Sequence, residues 1–531
     1  MQRILILLPL LCLFCSAASA QIYVDNTATG ANNGTSWADA YNQLPPAFND
    51  APANAEIWIA AGNYFPSTGF DVTATLLRST GIKVYGGFSG NETQLDQRDP
   101  AANVTFISGD LGNNDEVTVT TDPLSITYLN RIDNNQRIFT LSNASGDFVF
   151  DGLTIIGEQN TSTGAVVQIS TEGDLSIDFT NCIFRDNFSR QGGTVTRLTV
   201  RTGDEMTINF TGSTFLNNSC SGGNGSKGGV MWAIANGPLA ANYTNCNFQQ
   251  NSSTGRAGTN NHELAVTANY VNCIFSGNRA DVGGATFENS SEPAIYRNCT
   301  FYNNNSIRDF DSQGSVIFNF DDFGTDDVEI YNCIFSGNGQ NPLRSRFSAE
   351  FQIANTLLEF DSFSDLNANS GGAVDLGNNL YNLDPLFVDT LGNDFSLDDD
   401  SPAINAGDNS LNDYPTDFTG ENDRIANFVI DLGALENQTP SATRQLTEVT
   451  EVTIFPNPFV HSFQLSFENN QELALKGKQV NVFDAAGRQV YANVFPASDR
   501  IEVALNQLPT GSYWLELIVG NERFGARLIK K

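Results

Sequence analysis

Few side chains in this 531-residue chain are equipped for acid–base or covalent chemistry, and that scarcity constrains what it does. Histidine occurs only at His262 and His461, the latter in the separate C-terminal region, so a Ser-His-Asp or Cys-His site would rest entirely on His262. His262 lies in Thr259-Asn260-Asn261-His262-Glu263, a polar run that reads as a surface loop. Between Gln21 and Asn437 the lysines are Lys83 and Lys227. A lyase acting on uronates would therefore draw its base and its carboxylate-neutralising cations from arginines such as Arg185, Arg190, Arg197 and Arg201. On so acidic a chain these read as partners of neighbouring carboxylates. Glycoside hydrolysis needs two carboxyls facing a cleft at controlled separation. Asp321-Asp322 and Asp326-Asp327 are adjacent pairs whose side chains alternate faces, so they read as solvated loop. Asp398, Asp399 and Asp400, followed by Asp408, Asp413, Asp417 and Asp423, offer hard oxygen ligands in a loop-rich stretch, which makes Ca2+ the metal to test. No EF-hand or RTX spacing accompanies them. Zinc is disfavoured because no Cys-x-x-Cys occurs beyond residue 20 and histidines are few. Gly223-Asn224-Gly225-Ser226-Lys227-Gly228 spells GxGxxG without a βαβ unit around it, so no nucleotide site is expected.

The elements that carry these residues follow from an internal repeat. Asn181-Cys182-Ile183-Phe184 recurs around Cys246 and Phe248, Cys273 and Phe275, Cys299 and Phe301, and Cys333 and Phe335, with the variant Ser213-Thr214-Phe215 between the first two. Three residues after each Phe stands an asparagine: Asn187, Asn218, Asn251, Asn278, Asn304 and Asn338. The steps between motifs are 31, 33, 27, 26 and 34 residues, which means a fixed strand joined by loops of varying length. Side chains alternate with period two, so Cys and Phe share one face. Stacking each strand on its equivalent one turn below, at about 4.8 Å, produces columns of Cys, Phe and Asn. The Asn column suits the corner, since Asn tolerates left-handed geometry and bonds along a ladder. Gly192-Gly193, Gly228-Gly229 and Gly283-Gly284 occupy the next bend, where backbone passes close to backbone. Five of the six cysteines beyond residue 20 fall in the Cys column, where they act as buried thiols or, oxidised, as rung-to-rung disulfides.

The ends read differently from the middle. Arg3, the apolar run Ile4–Phe14 and Ser16-Ala17-Ala18-Ser19-Ala20 form the pattern of a signal peptide over residues 1–20, with cleavage between Ala20 and Gln21. Asp151-Gly152-Leu153-Thr154-Ile155 reads as an earlier turn of the coil, and Glu56–Ala60 as its first strand. Trp37–Leu44, with Pro45-Pro46 behind it, reads as a short amphipathic helix covering the open end. Net charge is −33, which argues against nucleic acid, yet Thr450–Lys531 carries eight acidic and eight basic residues. An acidic region of residues 21–436, a polar linker over 437–449 and a neutral domain over 450–531 follow. The last has short alternating strands and Gly-containing turns, as in a small β-sandwich. No segment beyond the leader is long and apolar enough for a transmembrane helix.

Phe275-Ser276-Gly277-Asn278 with Gly283-Gly284-Ala285 resembles the repeat of polymorphic outer-membrane proteins and of pectin-lyase-like β-helices. Val84–Gly90, Asp384–Val388 and Ser401–Gly407 resemble exported bacterial β-helix proteins of the choice-of-anchor Q type. These resemblances imply an all-β chain, a right-handed parallel β-helix solenoid followed by the small C-terminal β-sandwich, and leave activity open, since such helices host lyases, hydrolases, adhesins and stalks. Phe455-Pro456-Asn457-Pro458, then Gly487, then Gly511-Ser512-Tyr513, then Lys530-Lys531 resemble in order the type A sorting domain of type IX secretion cargo, with Phe455 where Tyr is commoner. That resemblance implies a Bacteroidetes-like host, export via the periplasm by the type IX secretion machinery, and a product secreted or held at the outer cell surface. The expected function is a binding, adhesive or structural surface protein with a glycan or matrix partner along its side. The alternative is a polysaccharide lyase or glycoside hydrolase on the same scaffold.

Overall fold

A computed structural model describes residues 20–531, apart from 68, 122–123, 162–164, 224, 307–315, 321–326, 340, 347–349, 427–428, 439–443, 446–451, 468–476, 485–487 and 520–521. The expected signal peptide up to residue 19, Asp321, Asp322, Asp326 and Gly487 therefore lie outside the described residues. Among the described residues, parallel strands form three stacks of 17, 11 and 6 members, the arrangement of a parallel β-helix. Each rung places a long double row, such as Met231–Thr244, then a short strand, Asn247–Gln249, then a two-residue strand, Ser252–Ser253. The motif phenylalanines fall in strict register, Phe184 on Phe215, Phe248, Phe275, Phe301 and Phe335. Their rings stack within the lumen, with centroids 4.6 Å apart for Phe248 and Phe275 and 4.8 Å for Phe275 and Phe301.

The cysteines are buried free thiols. Each sulfur of the five-residue column sits beside the carbonyl two residues earlier and one from the preceding rung, as Cys273 does with Val271 and Tyr243 at 3.3 Å each. Ser213, the one departure from Cys, makes the same pair of contacts, to Thr211 and Phe179. A small donor that caps two strand-end carbonyls is what the corner selects.

The asparagine corner differs from expectation in one respect. Asn187, Asn218, Asn251, Asn278, Asn304 and Asn338 are not left-handed; the residue before each is, from Asp186 and Asn217 to Asn303 and Gly337. That twist turns the next side chain inward, where it is buried and bonds along the coil. The Asn251 amide nitrogen donates to Asn278 Oδ1 at 3.0 Å, and Asn278 to Asn304 Oδ1 at 2.8 Å. A backbone amide meets one end of this ladder and a carboxylate the other. Glu158 N donates to Asn187 Oδ1, and Asn338 N donates to Glu359 Oε1 at 2.9 Å. Burial pushes the Glu359 carboxyl up to about 7, against the lowering effect of its Asn338 bonds. A raised carboxyl makes the folded state bind more protons than the unfolded one between the two values. Stability is therefore full below pH 4.5 and falls, by up to about 3 kcal/mol, as pH rises to 7. Glu359→Gln is expected to flatten this slope, read as amide-exchange protection of Ile334–Asn338 between pH 5 and 8.

The coil begins earlier than the sequence suggests, since Gln21–Val24 already pairs with Glu56–Ala60. The covering helix is Leu44–Asp50 rather than 37–44. Pro45 and Pro46 open it instead of ending it, because proline has no amide hydrogen to lose in a first turn. Leu44, Ala47 and Phe48 close the lumen. At the other end the last rung is Ala373–Gly377 with Leu380–Tyr381. Residues 382–438 then run back along the outside, where Phe387 and Phe395 pack on Tyr302 and the outer asparagines hold the strand. Asn272 donates to Thr416 O at 2.9 Å, Asn298 to Asn412 Oδ1 at 2.9 Å and Asn332 to Asp408 O at 3.1 Å.

Candidate functional site

The outer face of the long sheet gathers residues that sequence spacing keeps apart. Register stacks Arg197 on Trp232, Trp232 on Asn261, Asn261 on Phe287, Phe287 on Phe318, and Phe318 on Arg344, all outward. The Arg197 guanidinium lies 4.5 Å from the centre of the Trp232 ring and the Lys227 ammonium 4.8 Å. Arg256 sits 4.5 Å over Phe287, and Arg346 reaches to 5.9 Å over Phe320. Phe287 and Phe318 are buried beneath, while Trp232 and Phe320 are half-buried. On a chain of net charge −33 this is a local concentration of cations held on aromatic rings. Arg185 does pair with a neighbouring carboxylate, Asp186 at 2.7 Å, but Arg197 stacks on an indole instead. Sequence reasoning missed this stripe. Its signal was positional: Trp232 and Phe287 each stand three residues after a Gly-Gly bend.

The inward column between these outward ones holds the main surprise. His262 is fully buried in the strand Asn260–Val271, not in a surface loop. Its Nδ1 lies 2.8 Å from Glu288 Oε2 on the next rung. Tyr296 OH donates to Glu288 Oε1 at 2.8 Å and meets Thr286 Oγ1 at 2.7 Å. Burial pushes the phenols of Tyr243, Tyr270 and Tyr296 well up. The network is closed inside the lumen, so it fixes packing and offers no surface to a substrate.

The acidic candidates stay apart. Asp398 accepts from Asp400 N, Asp399 from the Asn437 amide, and Asp408 from Ser410 N at 2.8 Å. Asp398 and Asp408 serve local turns and Asp399 a distant amide, and among the described residues no three His, Cys, Asp or Glu side chains are placed to hold a metal ion together. Asp327, the described member of its pair, accepts from Glu350 N and the Gln352 amide.

The C-terminal region folds as two antiparallel sheets facing each other. One contains Lys478–Phe483, Gln489–Phe495, Gly511–Val519 and Glu522–Lys530; the other Thr453–Phe455, Ser462–Ser466 and Arg500–Ala504. Phe463, Leu465, Val480, Val482, Leu515 and Leu517 fill the space between. The sequence motifs meet at one edge. Asn457, between Pro456 and Pro458, donates to Arg527 O at 2.8 Å and accepts from Ile529 N at 2.9 Å. Tyr513, two residues after Gly511, donates to Pro509 O at 2.7 Å. Lys530 is buried, its ammonium donating to the Leu505 carbonyl, while Lys531 is exposed. Residues 453–531 match the family described as the secretion system C-terminal sorting domain. The chain ends in a type IX sorting domain.

The sorting domain makes the chain cargo of type IX secretion, delivered to the cell surface or released. Among the described residues no helix is long and apolar enough to cross a membrane. No curated protein matches the chain. Among solved structures, a crystal structure of pectate lyase Pel9A is similar at 14% identity and a TM-score of 0.32, covering 79% of this chain and 96% of that one.

Proposed function

We propose that the coil is a non-enzymatic surface binder, displayed or released through its sorting domain, that holds a glycan along the outer face of its long sheet. The observation that carries this reading is the stripe running from Arg197 and Trp232 to Phe320 and Arg346. Aromatic faces stack on the apolar faces of sugar rings, and the fixed cations and amides beside them supply directional bonds. Rungs about 4.8 Å apart repeat these groups along the coil axis, which suits a linear polymer. A lyase or hydrolase would need a base or paired carboxyls converging in a cleft, whereas this stripe presents cations on aromatic rings. Trp232→Ala is expected to weaken glycan binding by about tenfold or more, the loss of one stacking platform, measured by calorimetry of the purified chain against a polysaccharide panel. Unchanged affinity in Trp232→Ala, or release of reducing ends or unsaturated products by the native chain, would overturn the proposal.

A further inference from the structure

Lys227, Asn261 and Glu263 meet at a single carboxylate oxygen. Lys227 closes the bend before the strand Met231–Thr244, and Asn261 and Glu263 project outward from the strand of the next rung, Asn260–Val271. Glu263 Oε1 accepts from Lys227 Nζ at 2.7 Å and from Asn261 Nδ2 at 3.0 Å. The Trp232 ring screens the amine, 4.8 Å from Nζ. Asn261 is fully buried, and its Oδ1 accepts no hydrogen bond among the described residues. A surface ion pair needs neither a buried amide on the same oxygen nor an aromatic cover. An amine, a carboxamide carbon and a shared proton acceptor in one shielded place are the ingredients of acyl transfer.

We propose that Lys227 and Asn261 become joined by an intramolecular isopeptide bond, with Glu263 as proton shuttle. Glu263 takes a proton from the Lys227 ammonium, freeing the lone pair on Nζ. Nζ then adds to Asn261 Cγ, a C–N bond forms, and the negative charge moves onto Oδ1. The protonated Glu263 gives its proton to Nδ2, the Cγ–Nδ2 bond breaks and ammonia leaves. The remaining proton on Nζ passes through Glu263 to the departing ammonia. Overall, one ammonium and one carboxamide become one secondary amide and one ammonium ion, with no oxidant or cofactor. The link ties two successive rungs together within the outer stripe and needs no glycan to form.

The test is peptide mapping of the full chain, purified after folding. With the bond formed, trypsin fails to cut after Lys227, and the peptide spanning residues 202–256 is recovered joined to that spanning 257–279, lighter by one ammonia, about 17 Da. Glu263→Gln keeps a hydrogen-bond acceptor but cannot shuttle protons, and is expected to slow formation by about a hundredfold or more. Lys227→Arg, which retains the cation, is expected to abolish the bond and lower the melting temperature. Complete cleavage at Lys227 in the native chain, or undiminished linkage in Glu263→Gln, would overturn the proposal.

Discussion

Phe275→Ala is expected to destabilise the coil by about 4 kcal/mol, the cost of a cavity left by a fully buried aromatic side chain. Phe275 stacks on Phe248 and Phe301 at 4.6 and 4.8 Å and also meets Tyr270 and Tyr296 edge-on at 5.5 and 6.5 Å, so four neighbours lose a partner at once. In a solenoid each rung contacts only its neighbours, which localises the damage. Amide exchange should therefore rise first between residues 240 and 305, before the ends of the coil respond. The urea midpoint should fall without a change in slope if unfolding stays cooperative. A loss below about 1 kcal/mol would mean that the ring column can collapse around the gap, against the packing described above.

The second large effect concerns the buried polar network. Glu288→Ala removes the acceptor shared by His262 and Tyr296 and leaves both polar groups in the lumen without it, at a cost of about 3 kcal/mol. Replacing the pair together, His262→Leu with Glu288→Met, is expected to recover part of that loss, because the imidazole is then no longer stranded and the Tyr296 hydroxyl keeps Thr286 Oγ1. A double-mutant cycle by chemical denaturation measures the coupling. If Glu288→Ala and the double replacement are equally unstable, the pair contributes shape rather than hydrogen bonding.

These two cases mark how far the residues alone disclosed the fold. The Phe column was legible because an aromatic at a fixed place in a period-two motif reports burial and register together. Thus Leu153-Thr154-Ile155, with no Cys or Phe, still falls in register one rung before Ile183-Phe184. His262 was illegible because its strand carries polar side chains on both faces: Asn261 and Glu263 outward, Asn260 and His262 inward. No hydrophobic alternation marks such a strand, and only the stacking against Glu288 on the next rung shows which way it faces. The same holds for the outer stripe. Arg197, Trp232, Phe287 and Arg346 are scattered over 150 positions and become neighbours only through the rung-by-rung register. The helix at the open end was misplaced by a few residues because proline both begins and ends helices, and the local sequence does not say which. Lys530 illustrates the sorting domain's version of the problem. It belongs to the basic end Lys530-Lys531 of the motif, yet it is buried and bonds the Leu505 carbonyl, leaving Lys531 as the exposed charge.

Where the chain goes depends on a domain separate in charge and fold from the acidic coil. Residues 453–531 form their own core of Phe463, Leu465, Val482 and Leu515 between two sheets, and carry the motif edge at Asn457. Deleting residues 453–531 from the full chain in its native host and following the coil by fractionation tests the account most directly. The coil is expected to remain folded and accumulate in the periplasm, absent from the cell surface and the medium. Arrival of the truncated coil outside the cell at the native level would contradict it.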